Sequence, residues 1–335
     1  MPMTDAYNAV TRDLDFADSD GPVSGSRKPS GPFMPGNQTT LRQRVQCSGI
    51  GLHSGKKVSL ALSPALAGTG IRFLRTDLSG EAAWIEARWD KVIDTRLCTV
   101  IGNSHGAYVG TIEHLMAALC AAGVDNAIVE LDAPELPAMD GSSAPFMFLI
   151  ECAGIAVLKA QRPMLHVRKP VRVTDGDKFA VLEPCAYPDL DVEILFENPV
   201  IGRQRLRMAL SGIRFKSEMS RARTFGFAHE VEYMRQNGLA LGGSLDNAVV
   251  VDGETILNPE GLRYHDEFVR HKALDAVGDL YLAGGPIVGR FVGHQTGHKL
   301  NNMVLRALFD DSSAYEWVER ESAAPVMAEA ARISA

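Results

Sequence analysis

The chain has 335 residues, of which 46% are hydrophobic, and a formal net charge of −7 at pH 7. This length predicts about two domains, and the composition is that of a folded protein rather than a disordered chain. The acidic balance argues against a nucleic-acid polymer as partner, because such partners require a cationic surface that displaces counterions.

The two ends of the chain differ in composition from its middle. Residues 1–40 are rich in Pro, Gly, Ser and Asp, which predicts a disordered N-terminal extension. Residues 319–335 finish in an Ala-rich run and are interpreted as a C-terminal tail. No apolar stretch reaches the roughly 18 to 20 residues that span a bilayer. Five cysteines without a C-x-x-C pair favour a reducing compartment, so we expect a cytoplasmic protein without a transmembrane segment.

Between these ends, two segments with a similar order of elements predict two α+β domains, over residues 41–163 and 164–318. Each begins with a hairpin, continues to a long helix that ends at a glycine, and then enters an apolar strand. If the two helices pack about a pseudo-twofold axis, equivalent positions on them meet between the domains. The pattern leaves open whether the halves arose by duplication. The hairpins are expected at residues 51–64 and 174–184, and the helices at 111–122 and about 266–283.

The first predicted helix has two unlike faces. One is an apolar stripe, and the other carries alanines where a solvated helix would carry charged residues. His114 lies on the alanine face with Glu113 beside it, so both are expected to be buried and to need partners. The alternative for the histidine alone is a core residue bonded to a carbonyl oxygen. The stripe consists of Ile112, Leu115, Met116 and Leu119, and the alanines are Ala117, Ala118 and Ala121.

The second predicted helix carries His271, Asp275 and Asp279 on successive turns of one face, with Lys272 beside them. The i, i+4 spacing puts an imidazole and a carboxylate one turn apart, where both can bind one cation. Asp279, one turn further along, is suited to orienting a ligand or a bound group. The alternative is a His–Asp pair on a solvated face, because this spacing is common by chance.

Together, His114, His271 and Asp275 make a set of two imidazoles and one carboxylate. This is the composition of a catalytic zinc site with an open coordination position, whereas structural zinc sites are usually rich in thiolates. Glu113 directly precedes one ligand and is a candidate general base for water bound to the metal. The spacing is not the H-E-x-x-H of zinc proteases.

Two further segments carry polar groups suited to chemistry. Residues 293–302 form a glycine-containing loop after the last apolar strand, and His298 in this loop is a candidate cationic acid. Residues 220–227 combine two arginines, a threonine and two phenylalanines, which suits a loop that polarises a carbonyl and stacks on a ring. The alternatives are a solvent-exposed turn histidine in the first segment and an unspecific string in the second.

These pieces together resemble the UDP-3-O-acyl-N-acetylglucosamine deacetylase family, the zinc amidases of lipid A synthesis. Seven matching strings occur in the family's order over about residues 41–320. The strings are SGIGLHSGK at 48–56, TIEHL at 111–115, MDGSSAPF at 139–146, SRARTFGF at 220–227, LGGS at 241–244, DEFVRHK at 266–272 and GHKLNN at 297–302.

The resemblance implies a fold and a cofactor. The fold would be α+β, with two similar domains that each place a helix layer on a β-sheet and carry a small insert. The cofactor would be zinc, held between the domains by His114, His271 and Asp275, with Fe²⁺ as the alternative metal in the cell.

The resemblance also implies roles for other side chains. Glu113 would be the base that activates zinc-bound water, and His298 the cation that stabilises the oxyanion and protonates the leaving amine. Thr224 would donate a hydrogen bond to the oxyanion, and Asp279 would orient His298. Lys272 would help to bind the substrate.

A passage for the fatty acyl chain is expected in the insert of the second domain, at about residues 225–248. One departure concerns the diphosphate: Gln295 stands where many family members have a basic residue, so His294 or an arginine from another loop would have to substitute. In the family an apolar C-terminal tail can mark the protein for a membrane protease, and the Ala-rich end is compatible with that. The expected lining of the passage is Phe225, Phe227, Val231, Ala240 and Ala248.

The resemblance predicts hydrolysis of the N-acetyl group of UDP-3-O-(acyl)-N-acetylglucosamine, which releases acetate. Two other hypotheses stay open, and the first of them belongs to a different class. One is an inactive homologue that serves as a metal-bound scaffold or lipid-binding regulator, although no proposed ligand or acid–base residue is missing. The other is a hydrolase that acts on a different acylated amino sugar with the same machinery.

Overall fold

The computed structural model describes residues 36–319. This part of the chain contains six α-helices and 21 β-strands. Among these residues, no helix is both long enough and apolar enough to cross a bilayer. Most of the expected N-terminal extension and nearly all of the expected C-terminal tail lie outside the described residues.

The first half of the described chain runs from residue 36 to the end of the tenth strand, and it contains two α-helices. Its elements in chain order are β1 Asn37–Leu41, β2 Val45–Ile50, β3 Lys57–Pro64, β4 Ile71–Arg75, β5 Trp84–Glu86, β6 Val92–Asp94, β7 Val100–Gly102, β8 Tyr108–Val109, α1 Glu113–Ala122, β9 Ala127–Leu131, α2 Ala144–Ala153 and β10 Ile155–Gln161.

The second half contains four α-helices and the remaining strands. Its elements in chain order are β11 Pro163–Val167, β12 Val171–Asp175, β13 Lys178–Glu183, β14 Asp189–Leu195, β15 Arg203–Ala209, α3 Gly212–Glu218, β16 Phe225–Phe227, α4 Ala228–Gln236, β17 Val249–Asp252, β18 Thr255–Ile256, α5 Glu267–Tyr281, β19 Ile287–Val288, β20 Arg290–His294, α6 His298–Asp310 and β21 Tyr315–Glu319.

The two halves contain five-stranded sheets of identical topology. The strand order is β2-β3-β9-β4-β5 in the first sheet and β12-β13-β20-β14-β15 in the second. In each, the strand that comes last in the chain inserts between two antiparallel pairs, antiparallel to one neighbour and parallel to the other. Helix α2 packs on β2, α5 packs on β14 and β15, and α6 packs on β12 and β13. The predicted fold class, two similar α+β halves with helices layered on sheets, is confirmed.

Each half also carries a small insert outside its main sheet. In the first half the insert is the three-stranded sheet β6-β7-β8. In the second half it is the sheet β16-β17-β18 together with α4, which packs on β16 and β17. The first insert directly precedes helix α1 in the chain, and the second directly precedes α5. Each insert can therefore contribute residues to a site formed by these two helices.

Helices α1 and α5 pack directly against each other and join the two halves. A Cβ at Gly278 would lie 2.0 Å from the carbonyl oxygen of Glu113, so only glycine permits this crossing. The alanine face of α1 is fully buried, as the lack of charges on it predicted. Close approach therefore depends on small residues on both helices.

The boundaries of the predicted elements differ from the observed ones in two places. Helix α1 begins at Glu113 rather than at Thr111, because Thr111 has a φ of 57° and lies in the left-handed region. Its end before Gly123, with a φ of 74°, agrees with the prediction. Helix α5 ends at Tyr281, three residues before Gly284.

The expected limits of the two terminal segments need correction. Strand β1 pairs antiparallel with β10, so the expectation that disorder extends to residue 40 is wrong for residues 37–40. Glu319 pairs with Pro163 in the β11–β21 ladder, so a tail could begin only at residue 320. Residues 1–35 and 320–335 lie outside the described residues. The boundary expected between residues 163 and 164 falls inside β11.

Candidate metal centre

Helices α1 and α5 bring three potential metal ligands together. His114 comes from the first turn of α1, and His271 and Asp275 lie one turn apart on α5. Their ligand atoms all lie within 4.8 Å of one another, and all three residues are buried. The Nε2 atoms of His114 and His271 lie 3.5 Å and 3.4 Å from Oδ1 of Asp275.

This geometry fits a tetrahedral metal ion. Zinc–nitrogen and zinc–oxygen bonds of about 2.0–2.1 Å place ligand atoms roughly 3.3 Å apart at tetrahedral angles. Oδ1 of Asp275 is buried and has no hydrogen-bond partner among residues 36–319, which is costly unless a cation binds there. Nδ1 of His271 contacts the carbonyl oxygen of Ala222 at 3.1 Å, which leaves Nε2 to face the cluster.

The charge states of these residues suit ligation. Burial lowers the pKa of His271 to about 3, so its imidazole is neutral and its Nε2 is available as a donor. Burial acts to raise the pKa of Asp275, but His271 and Lys272 outweigh it and hold the pKa well below its usual range. Nζ of Lys272 lies 2.8 Å from Oδ2 of Asp275, on the other oxygen of that carboxylate. Asp275 is therefore an anion with one oxygen engaged and the other free for a cation.

Glu113 lies next to His114 in the chain and is almost fully buried. Its Oε2 accepts a hydrogen bond from the backbone N–H of Thr99 at 3.0 Å. Its Oε1 lies 3.9 Å from Nε2 of His298. Burial raises the pKa of the Glu113 carboxyl, and the neighbouring His298 and His114 oppose that shift. A carboxylate with a raised pKa is a better proton acceptor than an exposed one.

His298 is the first residue of α6, and its Nδ1 contacts Oδ2 of Asp279 at 2.9 Å. Burial acts to lower the pKa of His298, but the charges of Asp279 and Glu113 outweigh it and raise the pKa to about 9. Asp279 also accepts hydrogen bonds from the hydroxyl of Thr99 at 2.5 Å and from Nδ2 of Asn301 at 2.9 Å. The protonated imidazole of His298 thus faces the buried carboxyl group of Glu113.

Comparison with known proteins identifies the family to which this chain is related. The profile of the UDP-3-O-acyl N-acetylglycosamine deacetylase (LpxC) family matches residues 38–310. This chain belongs to that family. A UDP-3-O-acyl-N-acetylglucosamine deacetylase of Shewanella pealeana is 50% identical over 293 residues, which are 86% of this chain and 95% of that protein. The corresponding protein of Acidithiobacillus ferrooxidans is 52% identical over 284 residues, 84% of this chain and 93% of that protein.

In this deacetylase-family chain, the loop before the second insert packs against the start of α5. Arg223 is fully buried, and its backbone N–H and its Nε donate to Oε1 of Glu267 at 2.9 Å and 3.0 Å. Thr224, the next residue, donates its backbone N–H to the carbonyl of Gly141 at 2.8 Å and is half-buried. The loop that carries Thr224 is thus attached to the helix that carries His271, whose ring it also contacts through Ala222.

The five residues expected to line an acyl passage fall into two groups. The rings of Phe225 and Phe227 both contact Phe196, with centroids 5.7 Å and 6.1 Å from the centroid of Phe196. Val231 lies beside Gly226, the residue between the two phenylalanines in the chain. Ala240 and Ala248 instead bracket the turn at residues 243–247 of the same insert, where Ala240 is buried and has a φ of 51°. The structure brings the first group together as a half-buried apolar surface, and the second group lies on the loop that returns to β17.

The segment around Gln295 is strained and crowded by ionic groups. Gln295 has a φ of 48°, and its backbone N–H donates to the carbonyl of Glu193. Nδ1 of His294 lies 3.0 Å from Oε1 of Glu193, and its ring stacks on Phe179. The guanidinium of Arg172 covers the same Phe179 ring at 3.9 Å. His294 and Arg172, which belongs to strand β12 rather than to a loop, therefore both lie on the ring of Phe179 at this edge.

Two residues of the site were missed by sequence reasoning. Asn301 lies inside the GHKLNN string, one turn after His298, so helical periodicity could have indicated it. Thr99 precedes β7 in the first insert and contacts Asp279, 180 residues away. No periodicity or motif connects these two positions, so only the fold reveals that contact.

Proposed function

We propose that this family member hydrolyses the N-acetyl amide of UDP-3-O-(acyl)-N-acetylglucosamine in lipid A synthesis. The products would be acetate and UDP-3-O-(acyl)-glucosamine. The observation that carries the proposal is the facing pair Glu113 and His298, 3.9 Å apart beside three clustered metal-ligand side chains. Amide hydrolysis needs both a base for water and a separate acid for the amine, and this pair supplies them.

The residues that would hold the metal are His114, His271 and Asp275. A bound zinc ion would lower the pKa of water to about 7 and polarise the acetyl carbonyl. Fe²⁺ is the alternative ion, since imidazole and carboxylate ligands also suit it. The unpartnered oxygen of Asp275 supports a cation at this position.

The side chains of this chain divide the proton transfers between them. Glu113 would accept the proton of the attacking water, and the tetrahedral oxyanion that results would form within reach of cationic His298. His298 would then donate its Nε2 proton to the leaving nitrogen, because an amine departs readily only when protonated. The contact of Asp279 with Nδ1 supports this assignment, since it leaves Nε2 as the donor to substrate.

Other residues would bind and orient the substrate. The hydroxyl of Thr224 would donate a hydrogen bond to the oxyanion. Lys272 would contact the sugar, and its ammonium lies 5.5 Å from the ring centre of Phe225. The insert would hold the acyl chain on the apolar surface of Phe225, Phe227 and Val231, with Ala240 and Ala248 on the adjoining loop. Catalysis in the cytoplasm and protease recognition of the C-terminal tail are further proposals, and the tail lies outside the described residues.

Release of acetate from the UDP-sugar, measured before and after chelation and after zinc or Fe²⁺ is restored, tests the proposal. We expect activity to disappear with the metal and to return with it. Absence of turnover in the zinc-loaded protein would favour the inactive scaffold. Equal efficiency on a UDP-N-acetylglucosamine without the 3-O-acyl chain would favour a hydrolase of a different amino sugar.

A further inference from the structure

Thr99 touches both carboxylates that surround the proposed acid and base. It lies just before β7 in the first insert and is 1% exposed. Its backbone N–H donates to Oε2 of Glu113 at 3.0 Å, and its hydroxyl donates to Oδ1 of Asp279 at 2.5 Å. One residue from the first half therefore contacts a helix from each half.

These contacts close a ring of four residues. Thr99 binds one oxygen of Glu113, and the other oxygen of Glu113 faces Nε2 of His298 at 3.9 Å. Nδ1 of His298 contacts one oxygen of Asp279, and the other oxygen of Asp279 accepts from Thr99. Asp279 contacts His298 with one oxygen, Glu113 directs one oxygen toward His298 at 3.9 Å, and the opposite oxygen of each accepts a hydrogen bond from Thr99, which limits the rotation of both carboxylates.

We propose that Thr99 is a positioning residue that fixes the distance and orientation between the base Glu113 and the acid His298. It acts through Glu113 and Asp279 and touches no reacting atom. This inference rests on the proposed function, because it assigns Thr99 a purpose only if Glu113 and His298 exchange protons with substrate. A site held within about 0.5 Å of its productive geometry requires such supporting contacts.

The test compares Thr99→Val with Thr99→Ser. Valine keeps the backbone N–H to Glu113 and the side-chain volume but removes the hydroxyl that binds Asp279. We expect Thr99→Val to lower kcat about 10- to 100-fold, the usual effect of removing a supporting contact, with KM and bound metal unchanged. Serine keeps the hydroxyl and should restore most of the lost kcat. If Thr99→Val does not fold, Thr99→Ala serves in the same assay.

Thr40→Val is the matched control. Thr40 is also fully buried, and its hydroxyl donates to the carbonyl of Asn126, in the first half and outside the ring. Loss of this hydroxyl should lower the melting temperature and leave kcat per bound metal unchanged. A fall of kcat in Thr40→Val as large as in Thr99→Val would overturn the proposal, because any buried hydroxyl would then have the same effect.

A double-mutant cycle with Asp279→Asn identifies the path of the effect. If the hydroxyl acts through Asp279, adding Thr99→Val to Asp279→Asn lowers kcat no further. Multiplication of the two effects would overturn the proposal. Glu113→Gln separates the two levels of inference. If Thr99→Val and Glu113→Gln are both fully active, the proposed function fails. If Glu113→Gln is inactive and Thr99→Val is fully active, only the role of Thr99 is overturned.

Discussion

The two halves of the molecule share one sheet topology but contribute differently to the candidate metal centre. Helix α1 of the first half places one proposed ligand, His114, on a face made otherwise of alanines. Helix α5 of the second half carries two proposed ligands, and Lys272 and Asp279 on adjoining turns. The alanines of α1 and Gly278 of α5 permit the close approach of the two helices, and α5 supplies most of the charged side chains. A shared fold thus leaves the chemistry to a few side chains.

Removal of a ligand from either half should have the largest effect. His114→Ala and Asp275→Ala each leave two of three donors, so we expect both to lose the metal and to reduce acetate release to background. Metal analysis beside the activity assay checks this. His265→Ala removes an exposed imidazole that precedes α5, six residues before His271, and this control should keep both metal and activity. A ligand variant with a full equivalent of metal would contradict the assignment.

Loss of the acid or the base should separate chemistry from metal binding. Glu113→Ala and His298→Ala leave the three ligands intact, so each should keep its metal and lose about 10²-fold or more in kcat, as acid–base roles require. The measurement is single-turnover kinetics on metal-loaded protein. Loss of metal from these variants, with retention in His114→Ala, would mean that ligands and acid–base residues have been interchanged.

The close crossing of the helices can be widened by Gly278→Ala. Alanine normally stabilises a helix interior relative to glycine. Here its Cβ would overlap the carbonyl of Glu113, so we expect the opposite sign, a loss of roughly 1–3 kcal/mol in the free energy of unfolding. Denaturant unfolding measures it, and weaker metal binding should accompany it. In Gly226→Ala the added Cβ meets Val231 at 3.6 Å, an ordinary contact, and this control should remain near wild type.

The smallest expected effect is a shift in the pKa of His298, which NMR titration of the metal-free protein would measure. Its pKa of about 9 exceeds the ordinary value of 6.5. The charged ring therefore stabilises the fold fully below pH 6.5, and that contribution is lost as the pH rises through 9. Asp279→Asn should lower this pKa, and so should a bound dication, because each change makes the surroundings of His298 more positive. An unchanged pKa in Asp279→Asn would contradict the contact.

The sequence predicted the parts of the site that depend on helical periodicity. His271 and Asp275 follow from the i, i+4 spacing, and Asp275 and His114 each lie nine residues before the glycine that follows their helix, Gly284 and Gly123. Thr111 was placed inside the helix because a left-handed φ at a threonine has no signature in the sequence. Residues 37–40 were assigned to a disordered segment on composition, because β10, the strand that pairs with them, lies more than 110 residues further along the chain.

The specific roles came from the resemblance, since neither composition nor spacing distinguishes a base from a buried carboxylate. The contacts that support them are non-local. Thr99 reaches Asp279 only because the first insert folds over the crossing of α1 and α5. A periodic pattern describes one element at a time, so it cannot predict a contact between a residue of the insert and a distant helix.

The division of the ligands between two helices also bears on how the chain matures. An α5 that forms alone presents two donors, and the third arrives only when α1 has docked against it. With these ligands, tight binding of an ion would require that the two halves have already assembled, and binding to that state alone would shift the folding equilibrium toward it. If these three residues are the ligands, metal occupancy would report that the two halves have assembled, and a half-assembled chain would not hydrolyse amides.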